Sequence, residues 1–267
     1  MPLFAFSQEE LLTFFAVLVR YSTLVAVLPL VGDKVVPLPA KVLFALSVSF
    51  ALFPALVSSG QVRPGEAIVW GASVGGIATT VGLEALFGLA LGYTARLLFD
   101  SVNFGSALVA NLMGLSMAAM YDPHQETQTT VLAEFQMAIA MLVFLAVDGH
   151  HLMLRAALDS YRIVGLGKAG FGALFSERLI DLSGQVMKFG IQIAAPIAVS
   201  MFAVYVAFGV ISKAVPQMNI LVMSFAISIM AGLFVLLISI PEFQSVAGNI
   251  LGRVEEWMNL IMAAMAS

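Results

Sequence analysis

The fold is decided by two long uncharged runs that follow each other, FGIQIAAPIAVSMFAVYVAFGVIS (189–212) and AVPQMNILVMSFAISIMAGLFVLLISIP (214–241). Only Lys213 separates them. A helix of about 20 residues rises about 30 Å, which is the thickness of the hydrocarbon core of a bilayer. Each run is therefore long enough to cross a membrane as a helix. Because Pro216 can end one helix or start the next, the two runs predict a helical hairpin with its tip at 213–219.

The composition shows that the hairpin belongs to a very apolar chain. The 267 residues are 61% hydrophobic and 10% charged, and the mean hydropathy is +1.01. A soluble domain is about 45–50% apolar and about 25% charged. We therefore expect an integral membrane protein or part of a large hydrophobic assembly. The net charge of -4 and the lack of Lys/Arg runs argue against nucleic acid as a partner, and the lack of cysteine excludes disulfides and Cys-based metal sites.

The rest of the chain reads as further apolar helices separated by short charged or proline-bearing breaks. Ser7 and Glu10 fit a capping box, which predicts that the first helix begins near residue 8. The pattern indicates one all-helical unit of the polytopic membrane type. The predicted segments are 11–32, 42–58, 67–95, 101–121, 135–147, 189–212 and 217–240.

The region after the hairpin carries a different pattern. From Phe243 onward, apolar residues recur at helical spacing, which predicts a C-terminal amphipathic helix within 241–267. Such a helix lies on a membrane surface or packs on a partner. The stripe consists of Val246, Ile250, Val254, Trp257, Ile261 and Met265.

The charges of the loops predict a path through the membrane. If the loop 33–41 is cytoplasmic, strict alternation places the basic region 148–188 on the same side, as the positive-inside rule requires. The same alternation places Arg63 and Lys213 on the opposite side, against the rule. Arg63 and Lys168 are therefore predicted to lie on opposite sides of the membrane.

The segment between Asp100 and Asp122 has 21 uncharged residues, enough to span a bilayer, but it is poorly suited to face lipid. A segment that lines or blocks a passage needs pliable side chains on a backbone that can bend. The sequence therefore predicts a gate. The alternative is a tightly packed helix with small residues at a helix crossing. The residues behind these interpretations are Asn103, Gly105, Asn111, Met113, Gly114, Ser116, Met117 and Met120.

Two charged residues, Arg20 and Glu84, lie within apolar segments. A charge at mid-bilayer costs about 2.5–3.5 kcal/mol on insertion scales, so each needs compensation. The charges could belong to a proton or ion pathway, to a buried structural pair formed by the two residues, or to a contact with a neighbouring subunit. We favour the structural interpretation, because a pump would show a longer chain of such groups.

Three fragments resemble parts of enzyme sites, and each one fails. Ala118 stands where a Gly-x-Ser-x-Gly hydrolase motif starting at Gly114 needs its second glycine. Residues 121–122 match half of an intramembrane aspartyl protease motif, but Lys168 stands where the other half needs aspartate. The sequence Asp-Gly-His-His (148–151) could suggest a metal site, but adjacent histidines on a helix point about 100° apart and no second cluster adds ligands. We therefore interpret this turn as a helix end with polar anchoring. We expect no enzyme, and no catalytic, cofactor-binding or metal-binding residue.

Four motifs, in this order, resemble the FliR family, a subunit of the flagellar type III protein export gate. The motifs are GLSMAAMYDP (114–123), TQT (127–129), FLAVDGHH (144–151) and VPQMN (215–219). Arg20, Pro29, Pro37 and Lys41 also match the N-terminal pattern of the family. The likeness runs over nearly the whole chain. The Asp-Gly-His-His turn and the Pro-Gln-Met-Asn tip resemble the flagellar subunits more than the related virulence-secretion subunits.

The resemblance implies a single FliR-like domain over 1–267. Within it, a part at about 1–188 is similar to FliP, the hairpin 189–240 is similar to FliQ, and 241–267 is the amphipathic helix. In the family, FliR joins copies of FliP and FliQ in a closed helical assembly at the flagellar basal body of the bacterial inner membrane. Unfolded flagellar proteins leave the cytoplasm through it. A FlhB-type export component is a further expected partner.

The resemblance also implies site residues. The plug loop of the family maps onto Gly114, Leu115, Ser116, Met117, Ala118, Ala119, Met120 and Tyr121, and the hairpin tip onto Pro216, Gln217, Met218 and Asn219. Two alternatives stay open. One is a virulence-type export gate subunit, and the other is a small-molecule membrane transporter, which would need inverted repeats and a polar midplane site.

Overall fold

The computed structural model describes residues 7–29, 31–32, 36–115, 131–214 and 220–266. Within these ranges the chain is helical and contains no strand, so the predicted all-α class is confirmed. The helices are α1 (Gln8–Val27), α2 (Leu38–Ser58), α3 (Ala67–Trp70), α4 (Val74–Leu112), α5 (Val131–Ala146), α6 (Gly149–Ile163), α7 (Ala173–Ala214), α8 (Ile220–Leu251) and α9 (Val254–Met265), with a 3-10 turn at Pro64–Glu66.

Helix α1 begins at the predicted capping box. The Ser7 hydroxyl accepts from the Glu10 N–H at 3.2 Å, and the Glu10 carboxylate accepts from the Ser7 N–H at 2.9 Å. Two backbone donors that the first turn leaves without intrahelical partners are thereby satisfied. The predicted start near residue 8 is confirmed.

Five stretches are long and apolar enough to cross a membrane, and α5 with α6 adds a sixth if the two count as one bent span. This agrees with a polytopic membrane protein. The predicted segments 67–95 and 101–121 are not separate, because α4 is a single helix of 39 residues that contains both Arg96 and Asp100. The five stretches are α1, α2, α4, α7 and Met223–Met265.

The predicted hairpin helices are longer than their apolar runs. Helix α7 begins 16 residues before residue 189, at Ala173, and has 42 residues. Exposed ion pairs such as Arg178 with Asp181, at 3.6 Å, allow the helix to continue into a polar stretch. Helix α8 continues through Pro241 to Leu251. The tip at Pro216, Gln217, Met218 and Asn219 lies outside the described residues.

The chain divides into two compact units. Unit 1 comprises Met1–Leu97, His150–Ser183 and Arg253–Ser267, and unit 2 comprises Leu98–Gly149 and Gly184–Gly252. Fully buried side chains of unit 1 include Val17, Phe87, Leu91 and Ile261. One core cluster of unit 2 combines residues from α4, α7 and α8, namely Val109, Met113, Ala194, Ile197, Met201 and Leu236.

The C-terminal helix α9 is a buried part of unit 1. The apolar side chains of its buried face are at most 4% exposed, and the Gly170 N–H donates to the Met265 carbonyl at 2.8 Å. The prediction that this stripe lies on a membrane surface or on a partner is therefore wrong for 254–265. The amphipathic pattern correctly indicates which face of α9 is buried. Other residues of the same chain cover that face. The buried side chains are Val254, Trp257, Met258, Ile261, Met262, Ala264 and Met265.

Candidate functional site

A buried ion pair within unit 1 joins the middle of α1 to α4. The side chains of Arg20 and Glu84 are each 1% exposed. Arg20 Nη2 donates to Glu84 Oε1 at 2.9 Å and Arg20 Nε donates to Glu84 Oε2, so the two groups meet as a bidentate pair. The sequence left three explanations for these two charges. The structure contains one of them, the buried ion pair between the two residues.

The guanidinium of Arg20 has partners on its other sides as well. Its Nη1 donates to the Ser160 hydroxyl at 2.9 Å, and the Val164 carbonyl oxygen lies 3.4 Å from Nη1 and from Nη2. Its Cζ lies 4.3 Å from the ring centroid of Phe87 and 3.8 Å from that of Tyr161. A cation close to aromatic faces away from water is stabilised by the ring quadrupoles. These contacts hold a fixed charge in place.

Glu84 extends the ion pair to the connection between α6 and α7. Its Oε1 also accepts from the Gly167 N–H at 2.7 Å. Gly167 has a φ of 70°, a conformation that residues with a Cβ rarely adopt. A Cβ at Gly167 would lie 3.1 Å from Thr80 Cγ2. The ion pair therefore fixes this connection against both α1 and α4.

The same connection contacts the loop between α2 and α3. Lys168 Nζ lies 3.8 Å from Glu66 Oε2, and the stretches 60–66 and 165–168 supply the lining of a cleft of about 230 Å³. Loops that touch cannot lie on opposite sides of a hydrocarbon core about 30 Å thick. The predicted separation of Arg63 from Lys168 is therefore wrong. It counted 67–95 and 101–121 as two crossings, whereas α4 is a single helix, and the loss of one crossing moves every later loop to the other side.

Only the first two residues of the predicted plug, Gly114 and Leu115, lie in the described part of the chain, and 116–121 lie outside it. Helix α4 ends at Leu112, and the Gly114 N–H donates to the Asn111 carbonyl at 3.0 Å. Gly114 has a φ of 82°, and a Cβ there would lie 3.2 Å from Phe225 Cε1. Glycine suits this bend for both reasons, the backbone conformation and the neighbouring ring.

The residues before the bend are packed in the core of unit 2. Met113 is fully buried. Gly105 meets α7 closely, since a Cβ at Gly105 would lie 2.8 Å from the Gly190 carbonyl oxygen. The packed-helix interpretation therefore applies to these two positions, which the sequence had offered as parts of a gate. A gate in this segment can begin only after Met113.

Side chains of α7 and α8 bond the last carbonyls of α4. The Tyr205 hydroxyl donates to the Leu112 carbonyl at 2.6 Å, and the Ser228 hydroxyl donates to the Met113 carbonyl at 3.3 Å. The last carbonyls of a helix lack intrahelical donors, so these hydroxyls supply two of the missing bonds. Sequence reasoning missed both residues. The available signal was a tyrosine within an uncharged run, because such a hydroxyl usually has a partner.

The turn with two histidines begins α6. Asp148 has a φ of 54° at the break between α5 and α6. The rings of His150 and His151 lie 4.1 Å apart at 40°, closer than positions 100° apart around a helix would suggest. The interpretation of this turn as polar anchoring at a helix end stays a prediction.

The comparisons with known proteins agree over nearly the whole chain. The family described as bacterial export proteins, family 1, matches residues 11–254. The flagellar biosynthetic protein FliR of Bacillus subtilis (strain 168) is 25% identical over 253 residues, which cover 94% of each chain. FliR of Escherichia coli (strain K12) is 24% identical over 228 residues, covering 85% of this chain and 84% of that protein.

A third relative supports the same assignment. FliR of Aquifex aeolicus (strain VF5) is 24% identical over 246 residues, which cover 91% of each chain. The matched region takes in most of both units, including the ion pair and the end of α4 that Tyr205 and Ser228 bond. The chain therefore belongs to bacterial export proteins, family 1, and within it to the FliR family.

Proposed function

We propose that this protein is a subunit of the flagellar type III export gate. With FliP-type and FliQ-type subunits it forms the channel through which unfolded flagellar proteins leave the cytoplasm. The observation that carries the proposal is the likeness to FliR proteins of several bacteria over nearly their full length. The place of action is the bacterial inner membrane at the flagellar basal body, with a FlhB-type export component as a further partner.

The proposed gate is the segment Gly114, Leu115, Ser116, Met117, Ala118, Ala119, Met120 and Tyr121. The end of the preceding helix supports this proposal. Helix α4 ends two residues before Gly114, and Gly114 turns the chain away from the helix. Apolar, deformable side chains can block water and ions by dewetting, and glycine and alanine let the segment move aside for a polypeptide. Closure of this kind needs no sequence recognition, so it suits substrates that vary. The proposed role is mechanical and not enzymatic.

The proposed partners need apolar surface on this chain, and the hairpin helices offer it. Side chains of α7 such as Val199 and Phe202 are 71% exposed, and those of α8 such as Met230 are 72% exposed. Large exposed apolar surfaces mark contacts with protein or lipid. The positions on α8 that share the exposed face of Met230 are Ile227, Phe234, Leu237 and Ile238. This surface belongs to the hairpin that resembles FliQ, where contacts with like subunits are expected.

Deletion of 114–120 tests the gate. We expect the complex to assemble with FliP and FliQ, and we expect cells to leak ions or small molecules that the wild type retains. A replacement of the same seven residues by a Gly/Ser linker is the matched variant, because it keeps the chain length but removes the apolar closure. Membrane permeability is measured with a normally excluded dye. Unchanged permeability in both variants, with assembly intact, would contradict the gate.

Co-purification tests the assembly independently of the gate. A subunit of an export gate should be heterogeneous when expressed alone and should form one large complex of defined size when its membrane neighbours are co-expressed. A transporter should instead be stable as a monomer or small homo-oligomer. Isolation of a stable, uniform monomer that ignores co-expressed FliP and FliQ would contradict the proposal.

A further inference from the structure

The cleft between two connections of unit 1 is lined by charges of both signs. Its lining includes Arg63 and Glu66 from the connection between α2 and α3, and Lys168 from the connection between α6 and α7. The volume of about 230 Å³ is below the range of about 300–1,000 Å³ that is usual for whole drug-sized ligands, but it admits a small polar group. With two cations against one carboxylate, the lining favours a group that carries negative charge.

The cations of the cleft have donors available for such a group. Lys168 Nζ lies 3.8 Å from Glu66 Oε2, which is longer than a hydrogen bond, and both side chains are exposed. Their attraction is therefore weak and leaves the ammonium donors of Lys168 open to a ligand. Arg63 is exposed, and its guanidinium makes no ion pair within the described part of the chain. An arginine and a lysine on one cleft suit a phosphate group.

The cleft also offers acceptors, which a simple anion would not use. Gln61 lines it, and the Oε1 atom of this side chain is shielded from solvent and accepts no hydrogen bond. A shielded acceptor without a donor is unfavourable, and the terminal torsion of glutamine is soft enough to turn this oxygen toward a donor in the cleft. Together with the Glu66 carboxylate, the oxygen suits an ammonium group. The lining thus combines donors for a phosphate with acceptors for an amine.

Both walls of the cleft are held in place by bonds within the chain. On one wall, the Gly167 N–H donates to Glu84 of the buried ion pair at 2.7 Å. On the other wall, the Val62 N–H donates to the Leu56 carbonyl at 3.2 Å, and the Val62 side chain is buried. A site that is ordered in advance loses less conformational entropy when it binds a ligand.

The end of α2 places the cleft at the depth of lipid headgroups. Helix α2 is long and apolar enough to cross the membrane, and it ends at Ser58, just before the first residues of the cleft. The polar headgroup region adjoins the hydrocarbon core at this level. Directly after Glu66, the side chains of Ile68 and Val69 on α3 are 61% and 81% exposed, so apolar surface for acyl chains lies beside the cleft.

We propose that this cleft binds the headgroup of a phospholipid that carries a primary amine, of the phosphatidylethanolamine class. Arg63 and Lys168 donate to the phosphate, and the Glu66 carboxylate and the Gln61 amide oxygen accept from the ammonium group. The bound lipid joins the two connections of unit 1 and stabilises that unit in the membrane. The inference does not depend on the proposed function, because it concerns the surrounding lipid and not the exported protein.

The choice of headgroup is tested on the full-length protein in detergent micelles, with short-chain phosphatidylethanolamine as the probe. We expect this lipid to raise the midpoint of thermal unfolding, because a ligand that binds only the folded state stabilises that state. Phosphatidylcholine of the same chain length should raise it less, since its trimethylammonium group has no N–H to donate. Phosphatidylglycerol, which has no amine, should also raise it less. Equal rises with all three lipids would overturn the proposal.

The variants Arg63→Gln and Lys168→Gln remove the cations that bind the phosphate. We expect each to weaken phosphatidylethanolamine binding by about tenfold, because hydrogen bonds between charged groups are the strong ones. The midpoint without lipid should stay close to wild type, since both side chains are exposed. The matched control is Arg155→Gln, because Arg155 is an exposed arginine of the same unit that does not line the cleft. Equal weakening by the control would refute the site, because it would show a general attraction of basic side chains to lipid.

The variant Glu66→Gln separates the amine from the phosphate. It keeps the shape of the side chain and frees Lys168 from its weak partner, so we expect binding of the phosphate to remain and the preference for phosphatidylethanolamine over phosphatidylcholine to fall. An unchanged preference would refute the contact with the amine. Inorganic phosphate distinguishes the two sources of a phosphate group, and we expect it to raise the midpoint little. If inorganic phosphate matches the lipid and added lipid gives no further rise, the cleft binds free phosphate and the lipid proposal is wrong.

Discussion

Arg20 and Glu84, 64 positions apart in the chain, meet as a buried bidentate ion pair whose side chains are each 1% exposed. The pair lies on α1 and α4, and through Ser160, Val164 and Gly167 it also holds the end of α6 and the connection to α7. It thus joins three separate parts of unit 1. A charge in such a place is stabilising only while its partner remains, because removal of one partner leaves the other uncompensated.

Removal of either charge should therefore destabilise the protein. We expect Arg20→Ala or Glu84→Ala to lower the free energy of unfolding by about 3–5 kcal/mol, and the double variant to lose clearly less than the sum. Chemical denaturation in detergent micelles measures this. Arg162→Ala is the control, because Arg162 pairs with Asp159 on the surface at 3.6 Å and should cost under about 1 kcal/mol. Additive losses from the two single variants would refute the direct coupling.

The bend at Gly167 should tolerate no side chain. We expect Gly167→Ala to cost about 1–2 kcal/mol, because φ is positive and the new Cβ lies against Thr80. Gly172→Ala is the matched control in the same connection, since nothing lies within 4 Å of a Cβ there and we expect a change within about 0.5 kcal/mol. The stability of both variants is compared by thermal unfolding. Equal stabilities would show that the connection adapts freely.

Two glycines of α4 should respond to alanine with opposite signs. At Gly105 the new Cβ would lie 2.8 Å from the Gly190 carbonyl oxygen, so we expect a loss of about 1–3 kcal/mol. At Gly82 the new Cβ meets open space, so helix propensity should stabilise the protein by about 1 kcal/mol. Denaturation curves of the two variants give the signs. A gain at Gly105 would mean that α4 and α7 do not pack as described.

The N-terminal cap of α1 gives a smaller effect. Ser7→Ala removes the acceptor for the Glu10 N–H and should cost about 1 kcal/mol. Ser183→Ala, at an exposed position inside α7, should be neutral or slightly stabilising because alanine has the higher helix propensity. The difference in midpoint between the two variants is the measurement. No loss in Ser7→Ala would indicate that the first turn frays and gains nothing from its cap.

Structural features that depend only on neighbouring residues in the sequence were predictable. The spacing of Ser7 and Glu10 gave the start of α1, and the uncharged runs gave the hairpin helices, because caps and apolar periodicity act over a few residues. The Arg20 and Glu84 pair was also within reach, since two buried charges of opposite sign in apolar segments favour each other.

Features that depend on distant contacts were not predictable. Nothing near Tyr205 or Ser228 in sequence indicates that their hydroxyls cap a helix more than 90 residues earlier. The apolar stripe of α9 shows that one face is buried but not what covers it. The prediction from loop charges failed at Lys168 because it counted two crossings where α4 makes one helix, and the contact of Lys168 with Glu66 shows the error.

The composition of unit 1 from three distant stretches has a consequence for biosynthesis. The Met265 carbonyl that bonds Gly170 belongs to the final turn of α9, and α1 leaves the ribosome more than 200 residues before it. At about 5–20 residues per second, the interval between Leu97 and Arg253 is roughly 8–30 s. During that time the apolar surface later covered by α9 is open. A nascent chain of this kind depends on the translocation machinery, or on a neighbour made earlier, to keep that surface from aggregation until α9 has been made.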